Sequence, residues 1–77
     1  MFNEIYYEIV ERIKTISSDQ KTNFAIELNR ISYNKKPPKF DLRKWNKAEN
    51  KMLKGLTLTD EEMETLYKAL KEYFERS

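Results

Sequence analysis

The stretch of sequence that decides the fold is KFDLRKW, residues 39–45. Successive side chains of a β-strand point to opposite faces of the sheet, and this stretch alternates accordingly. Phe40 and Leu42 share one face, which we expect to be apolar and directed towards the core. The opposite face combines two bases, one acid and the only tryptophan of the chain: Lys39, Asp41, Arg43 and Trp45. This strand is therefore the first candidate for a binding surface.

Downstream of this strand, the sequence predicts a polar loop, a short strand and a helix. The loop covers Asn46 to Lys51, and the strand covers residues 54–58, KGLTL. A capping box begins at Thr59, because Glu62 follows three residues later. Apolar side chains then recur at helical spacing, which predicts a helix from Asp60 to Arg76. These side chains, which either pack on the sheet of the same chain or pair with a second copy, are Met63, Leu66, Tyr67, Leu70, Tyr73 and Phe74.

Two upstream segments are less regular. Asn23 to Tyr33 alternates and then changes phase, which predicts a strand with a β-bulge near Asn29-Arg30. The N-terminal segment places Ile9, Ile13 and Ile16 at helical spacing, whereas its content of β-branched and aromatic residues favours a strand. The residues alone leave both interpretations open for this segment.

The composition limits the classes of function. The chain has 77 residues, which is enough for one domain spanning residues 1–77, and it contains no Cys, no His and a single Gly. We therefore expect that the protein is not an enzyme and that it has no catalytic residues, no metal site and no cofactor. No segment is apolar enough to span a membrane, and the charged start is unlike a secretory signal. The sequence therefore predicts a cytoplasmic protein, and association with the bacterial nucleoid is compatible with this prediction. Ten aromatic residues in so short a chain favour a homodimer that buries part of them.

Charge is distributed unevenly along the chain. From Arg30 to Lys54 there are nine basic and two acidic residues, whereas from Thr59 to Ser77 there are six acidic and three basic ones. A strand face with bases and aromatics can follow a phosphate backbone and stack on unpaired bases. The acidic helix is unsuited to duplex DNA, so the pattern favours single strands on the sheet. Trp45 at a strand end is equally consistent with a core residue.

The blocks PKFDLRKW and KMLKGLTLTDEE, in this order, resemble the positive-cofactor-four family of single-stranded-DNA-binding transcriptional coactivators, and in particular its small bacterial YdbC-like branch. The similarity extends back through ELNRISYN, residues 27–34, and YEIVERI, residues 7–13. It covers nearly the whole chain, from about Tyr6 to Leu70.

The resemblance implies an α+β fold, in which a curved antiparallel sheet of four strands is followed by one C-terminal helix, assembled as a homodimer. It also implies that Tyr6 to Ser17 is the first strand and that single-stranded DNA lies across the concave face of the sheet. By motif position, and with the basic turn beside them, the DNA-binding residues are Tyr33, Lys35, Lys36, Lys39, Arg43, Trp45 and Lys54. The expected dimer interface consists of Met63, Leu66, Tyr67, Leu70 and Phe74.

One departure bears on affinity. Relatives usually have Gly-Trp and basic residues where this chain has Thr22 to Ile26, so one stacking group is smaller and about two phosphate contacts are missing. The lead hypothesis is sequence-tolerant binding of single-stranded DNA in transcription, replication or repair, with transcription or replication proteins as further partners. It predicts that Trp45→Ala and Arg43→Ala weaken binding without unfolding the domain. The alternatives are an interaction module that docks an acidic protein, and RNA binding on the same face.

Overall fold

A computed structural model describes residues 6–76 and has the element order β-β-β-β-α. The elements are β1 (Tyr7–Asp19), β2 (Phe24–Tyr33), β3 (Lys39–Asn46), β4 (Lys51–Leu58) and α1 (Asp60–Glu75). The strands form one antiparallel sheet in the order β1-β2-β3-β4. The predicted α+β fold class is thereby confirmed, and the ambiguous N-terminal segment is a strand.

Three β-bulges in β1 explain why its sequence resembles a helix. The pairing between β1 and β2 shifts register three times, and each shift leaves one apolar residue of β1 without a partner on β2: Val10, Ile13 and Ile16. A bulge at every third residue produces a spacing close to that of a helix face. The bulge predicted near Asn29-Arg30 is wrong, because β2 pairs with β3 without interruption and alternates regularly in burial.

The sheet curves strongly, and the curvature decides which face is buried. Tyr7 is opposite Tyr33 and Trp45 is opposite Ala25, at the two ends of β2. The rings of Tyr7 and Trp45 nevertheless lie only 6.1 Å apart between centroids. A flat sheet would separate them by the length of the strand, so the face that carries both rings is concave.

Burial on the two faces is the reverse of what the strand pattern predicts. The expected alternation along β3 is present, but its apolar side chains, Phe40 and Leu42, are only half-buried on the convex face. The concave face contains the buried side chains of β2 and β3, several of them polar: Ala25, Glu27, Asn29, Ile31, Asp41 and Trp45. The curvature brings these side chains together, whereas those on the convex face diverge. Burial therefore follows the curvature and not the polarity of the residues.

The helix is joined to the convex face near its first turn. Thr59 and Glu62 form the predicted capping box, and Asp60 accepts a hydrogen bond of 3.0 Å from the guanidinium of Arg30. The same guanidinium lies 4.6 Å from the ring centre of Phe40. Among residues 60–75, no side chain is fully buried. Over the described part of the chain, no helix is long and apolar enough to cross a bilayer.

Gly55 permits β3 and β4 to approach closely behind Arg43. It is opposite Arg43 in the ladder, and a Cβ atom at this position would lie 2.7 Å from the Cα of Arg43 and from the carbonyl oxygen of Leu42. Both neighbours are backbone atoms that cannot move aside, so a side chain here would push the strands apart. The only glycine of the chain is thus explained by the packing around Arg43.

Candidate nucleic-acid interface

A buried hydrogen-bonded network joins three strands on the concave face. Arg43 donates from Nε to Oδ1 of Asp41 at 2.8 Å and from Nη2 to Oδ2 at 2.7 Å. Tyr33 donates its hydroxyl to the same Oδ2 at 2.7 Å and accepts from Nη2 of Arg43 at 3.1 Å. Arg43 Nη1 donates to the carbonyl oxygen of Leu53 at 2.9 Å. Side chains from β2 and β3 and the backbone of β4 are thus held together.

Arg43 has a structural role in this network, in contrast to the phosphate contact that the sequence predicts for it. A guanidinium has five N–H donors, and these hydrogen bonds use four of them. The Arg43 side chain is only 14% exposed, and Asp41 is completely buried. The structure therefore places Arg43 inside the sheet, where it orients Asp41 and Tyr33, and not on the surface that the sequence assigned to phosphate contacts.

The network shifts the protonation equilibria of two of its members. Burial raises the pKa of the Tyr33 hydroxyl, and the hydrogen bond to the Asp41 carboxylate raises it further. The hydrogen bond to Asp41 likewise raises the pKa of Arg43. A tyrosine with a raised pKa stays protonated in the folded state, and the stability that it contributes is lost as pH rises above the ordinary tyrosine value. The network is consequently intact at neutral pH.

Trp45 is part of the concave core and is not an exposed stacking group. It is 1% exposed, and its ring is tilted by 56° against that of Tyr7. Its indole Nε1 is buried without a hydrogen-bond partner among the described residues. Of the two interpretations that the sequence leaves open for Trp45, the structure shows the core residue, because the curvature of the sheet covers the ring.

The predicted lysines are at the surface. Lys35, Lys36, Lys39 and Lys54 are all exposed. Asn34 and Lys35 both have left-handed backbone conformations, with φ of 54° and 63°, and Lys36 N donates to Tyr33 O at 3.0 Å to close this turn. The Lys35 ammonium lies 5.9 Å from the ring centre of Tyr6, which is 54% exposed. Tyr6 is thus an exposed aromatic residue beside the basic turn, and no motif in the sequence points to it.

Besides the lysines of the turn and strand ends, two basic side chains, Lys47 and Arg12, surround the carboxylate of Glu27 in the middle of β2. The carboxylate is largely buried, and Lys47 Nζ contacts its Oε2 at 2.9 Å. Arg12 Nη1 approaches Oε1 at 3.7 Å, and Asn29 Nδ2 donates to the same oxygen at 3.3 Å. Burial raises the pKa of Glu27, but the hydrogen bonds and charges of Lys47, Asn29 and Arg12 outweigh it and hold the pKa below its usual value. Glu27 is therefore ionised at neutral pH.

The Glu27 group borders a cleft on the concave face. This cleft has a volume of about 380 Å³ and is lined by six residues of β1 and β2: Arg12, Ile13, Lys14, Thr15, Glu27 and Asn29. We call it the Glu27 cleft. The sequence did not reveal it, because the bulges of β1 determine which of its residues face Glu27. Counted from the hairpin pair of Asp19 and Phe24, a strand assignment with bulges at Ile16 and Ile13 aligns Arg12 with Asn29, as the structure does.

The fold and the site define a class of small β-β-β-β-α proteins with a polar, cation-rimmed concave face. No protein-family model matches the chain. An uncharacterized protein of Treponema pallidum (strain Nichols) is 36% identical over 64 residues, which are 83% of this chain and 74% of the relative. The chain belongs to the same family as this protein.

Proposed function

We propose that this protein binds single-stranded DNA across the concave face of its sheet, with little dependence on sequence. The exposed cations hold the phosphates, and the exposed ring of Tyr6 provides a surface on which a base stacks. Phosphate contacts provide most of the affinity of such binders, and stacking on aromatic side chains tolerates every base. The resemblance to the positive-cofactor-four family is consistent with this proposal.

One observation carries the proposal. Arg12 on β1 and Lys47 after β3 come from opposite sides of β2, and both reach the carboxylate of Glu27. Their side chains are 62% and 38% exposed, so each remains open to solvent. A concave surface with exposed cations on both sides of its floor matches the shape and charge of a phosphate backbone. The exposed Lys39 and the Lys35-Lys36 turn lie at the opposite end of β3 from Lys47, where the strand begins, and extend this rim in that direction.

Titration of a labelled single-stranded oligonucleotide at several salt concentrations tests the proposal. We expect a log–log salt slope of about −2 to −4, because each neutralised phosphate of a single strand contributes about −0.7. Lys47→Gln and Lys39→Gln each should make the slope less steep by about 0.7. Fluorescence anisotropy gives both the affinity and the slope.

Lys71→Gln is the matched control, because Lys71 lies on α1 and pairs with Glu75. It removes the same charge and should leave the slope unchanged. A duplex of the same sequence should bind much more weakly than the single strand. Equal binding of both forms, or an equal effect of all three lysine variants, would contradict the proposal. A matching RNA strand shows whether the same face accepts RNA.

We further propose that the protein is a homodimer. Of the residues predicted at the interface, Leu66, Tyr67, Leu70 and Phe74 are 37–76% exposed, and Met63 lines a groove with Phe40 against the chain's own sheet. The convex face adds Ile26 and Leu56, which are 38% and 52% exposed. An apolar surface of this kind on a small domain usually marks an interface. A second copy covers both the helix and the convex face without obstructing the concave one.

Sedimentation equilibrium of the parent and of Leu70→Glu tests the dimer. The parent should sediment with twice the mass of the chain, and the variant should be a monomer, because a charge in an apolar interface is unpaired. Glu72→Gln, which alters an exposed residue of the same helix, should leave the dimer intact. A monomeric parent at high protein concentration would overturn this proposal.

The second candidate is an interaction module for an acidic protein segment. It is favoured by the burial of Trp45 and the engagement of Arg43, which leave lysines and Arg12 as most of the exposed binding groups. Such a surface attracts any extended polyanion. Absence of oligonucleotide binding at low salt would make this candidate the leading one.

A further inference from the structure

We propose that the Glu27 cleft is a subsite that reads one base of the bound strand and prefers cytosine to thymine. This inference rests on the proposed binding of single-stranded DNA and adds a base preference at one position. Its basis is a buried carboxylate oxygen that borders the cleft and has only distant partners.

The two oxygens of Glu27 are in different situations. Oε2 has a close partner in Lys47 Nζ at 2.9 Å. Oε1 has Asn29 Nδ2 at 3.3 Å and Arg12 Nη1 at 3.7 Å. Charge-assisted hydrogen bonds are usually about 2.7–2.9 Å long, so Oε1 retains most of its capacity to accept. A ligand with an N–H donor can supply the missing close partner.

The basic residues around the cleft favour a ligand that carries both an N–H donor for Glu27 and a phosphate. Arg12 and Lys14 line the cleft from β1. Arg12 is 62% exposed and only distantly paired with Glu27, so it is able to turn towards a phosphate without losing a strong contact. A volume of about 380 Å³ is within the range of ligand-binding clefts. A nucleotide satisfies both requirements, because its base carries donors and its backbone carries the charge.

The carboxylate distinguishes between the two pyrimidines. Cytosine presents its N4 amino group as a donor, whereas thymine presents the O4 acceptor at the same position. Glu27 is ionised and accepts only, so it bonds to the amino group and repels O4. Purines are larger, and the comparison of cytosine with thymine isolates this single exchange of a donor for an acceptor.

Competition between oligo-dC and oligo-dT of equal length at neutral pH tests the subsite. The parent should bind oligo-dC about tenfold more tightly than oligo-dT. A strand with N4-dimethylcytosine, which lacks both amino hydrogens, should bind like oligo-dT. This second comparison uses the parent protein alone and therefore does not depend on whether a variant folds.

Glu27→Gln should abolish the preference, because the amide nitrogen donates to O4 of thymine. Glu49→Gln is its matched control, since it removes the same charge from the exposed turn before β4. Both variants should raise the affinity for all strands, but only Glu27→Gln should bring the ratio of the two affinities near one. Equal binding of oligo-dC and oligo-dT by the parent would overturn the subsite and leave the proposed function standing. Binding of neither strand would overturn both.

Discussion

Asp41→Ala is expected to lower the free energy of unfolding by about 3–5 kcal/mol, because it leaves the buried charge of Arg43 without a partner. Asp41 is 0% exposed and accepts three hydrogen bonds, two from Arg43 and one from Tyr33. Small domains are stable by about 5–15 kcal/mol, so the loss removes a large share of the total. Urea denaturation followed by circular dichroism measures it.

Asp60→Ala is the matched control for this prediction. Asp60 forms an ion pair of 3.0 Å with Arg30, but its side chain is 74% exposed. Exposed ion pairs contribute about 0–1 kcal/mol, and we expect a loss of that size. The double variant Asp41→Leu/Arg43→Met should recover much of the loss of Asp41→Ala, because apolar side chains leave no unpaired charge. Equal losses for Asp41→Ala and Asp60→Ala would contradict the structural role of the network.

The parts of the fold that the sequence predicts are those determined by neighbouring residues. The helix is predicted from Asp60 to Arg76 and observed from Asp60 to Glu75, because the capping box at Thr59 is a local signal. The alternation of residues 39–45 correctly predicts the strand β3 and which of its side chains share a face, although not which face is buried. In both cases the side chains that decide the structure lie within a few positions of one another.

The curvature of the sheet and the bulges of β1 depend on pairing between distant strands, so the sequence pattern of one segment does not predict them. Three bulges give β1 the spacing of a helix, so the residues alone leave helix and strand open, and the resemblance to a known family decides for the strand. The curvature that brings Tyr7 over Trp45 depends on the pairing of all four strands, so the buried face was assigned to the wrong side.

The candidate site was predicted in part, for the same reason. Four lysines are at the surface as expected, since long charged side chains in turns and at strand ends are rarely buried. Arg43 and Trp45 are not, because their burial depends on the curvature. The Glu27 cleft joins residues of β1 and β2, and only the register of these strands brings them together.

Trp45→Ala is expected to lower the free energy of unfolding by about 3–5 kcal/mol, because it removes a fully buried indole and leaves a cavity. The lead hypothesis from the sequence predicts instead that this variant loses DNA binding without unfolding. Trp45 packs against Tyr7 in the concave core, where its ring is 1% exposed. Thermal denaturation of the parent and the variant, each followed by near-ultraviolet circular dichroism, measures the difference.

Two further variants separate packing from base stacking. Trp45→Phe keeps an aromatic ring in the core, and we expect it to fold and to retain the affinity for single-stranded DNA within about twofold. Tyr6→Ala alters an exposed ring, so it should unfold like the parent and bind about tenfold more weakly, since stacking contributes roughly 1–3 kcal/mol per base. If instead Trp45→Ala melts like the parent and loses its affinity while Tyr6→Ala keeps it, then bases stack on Trp45, and the concave face must open to admit them.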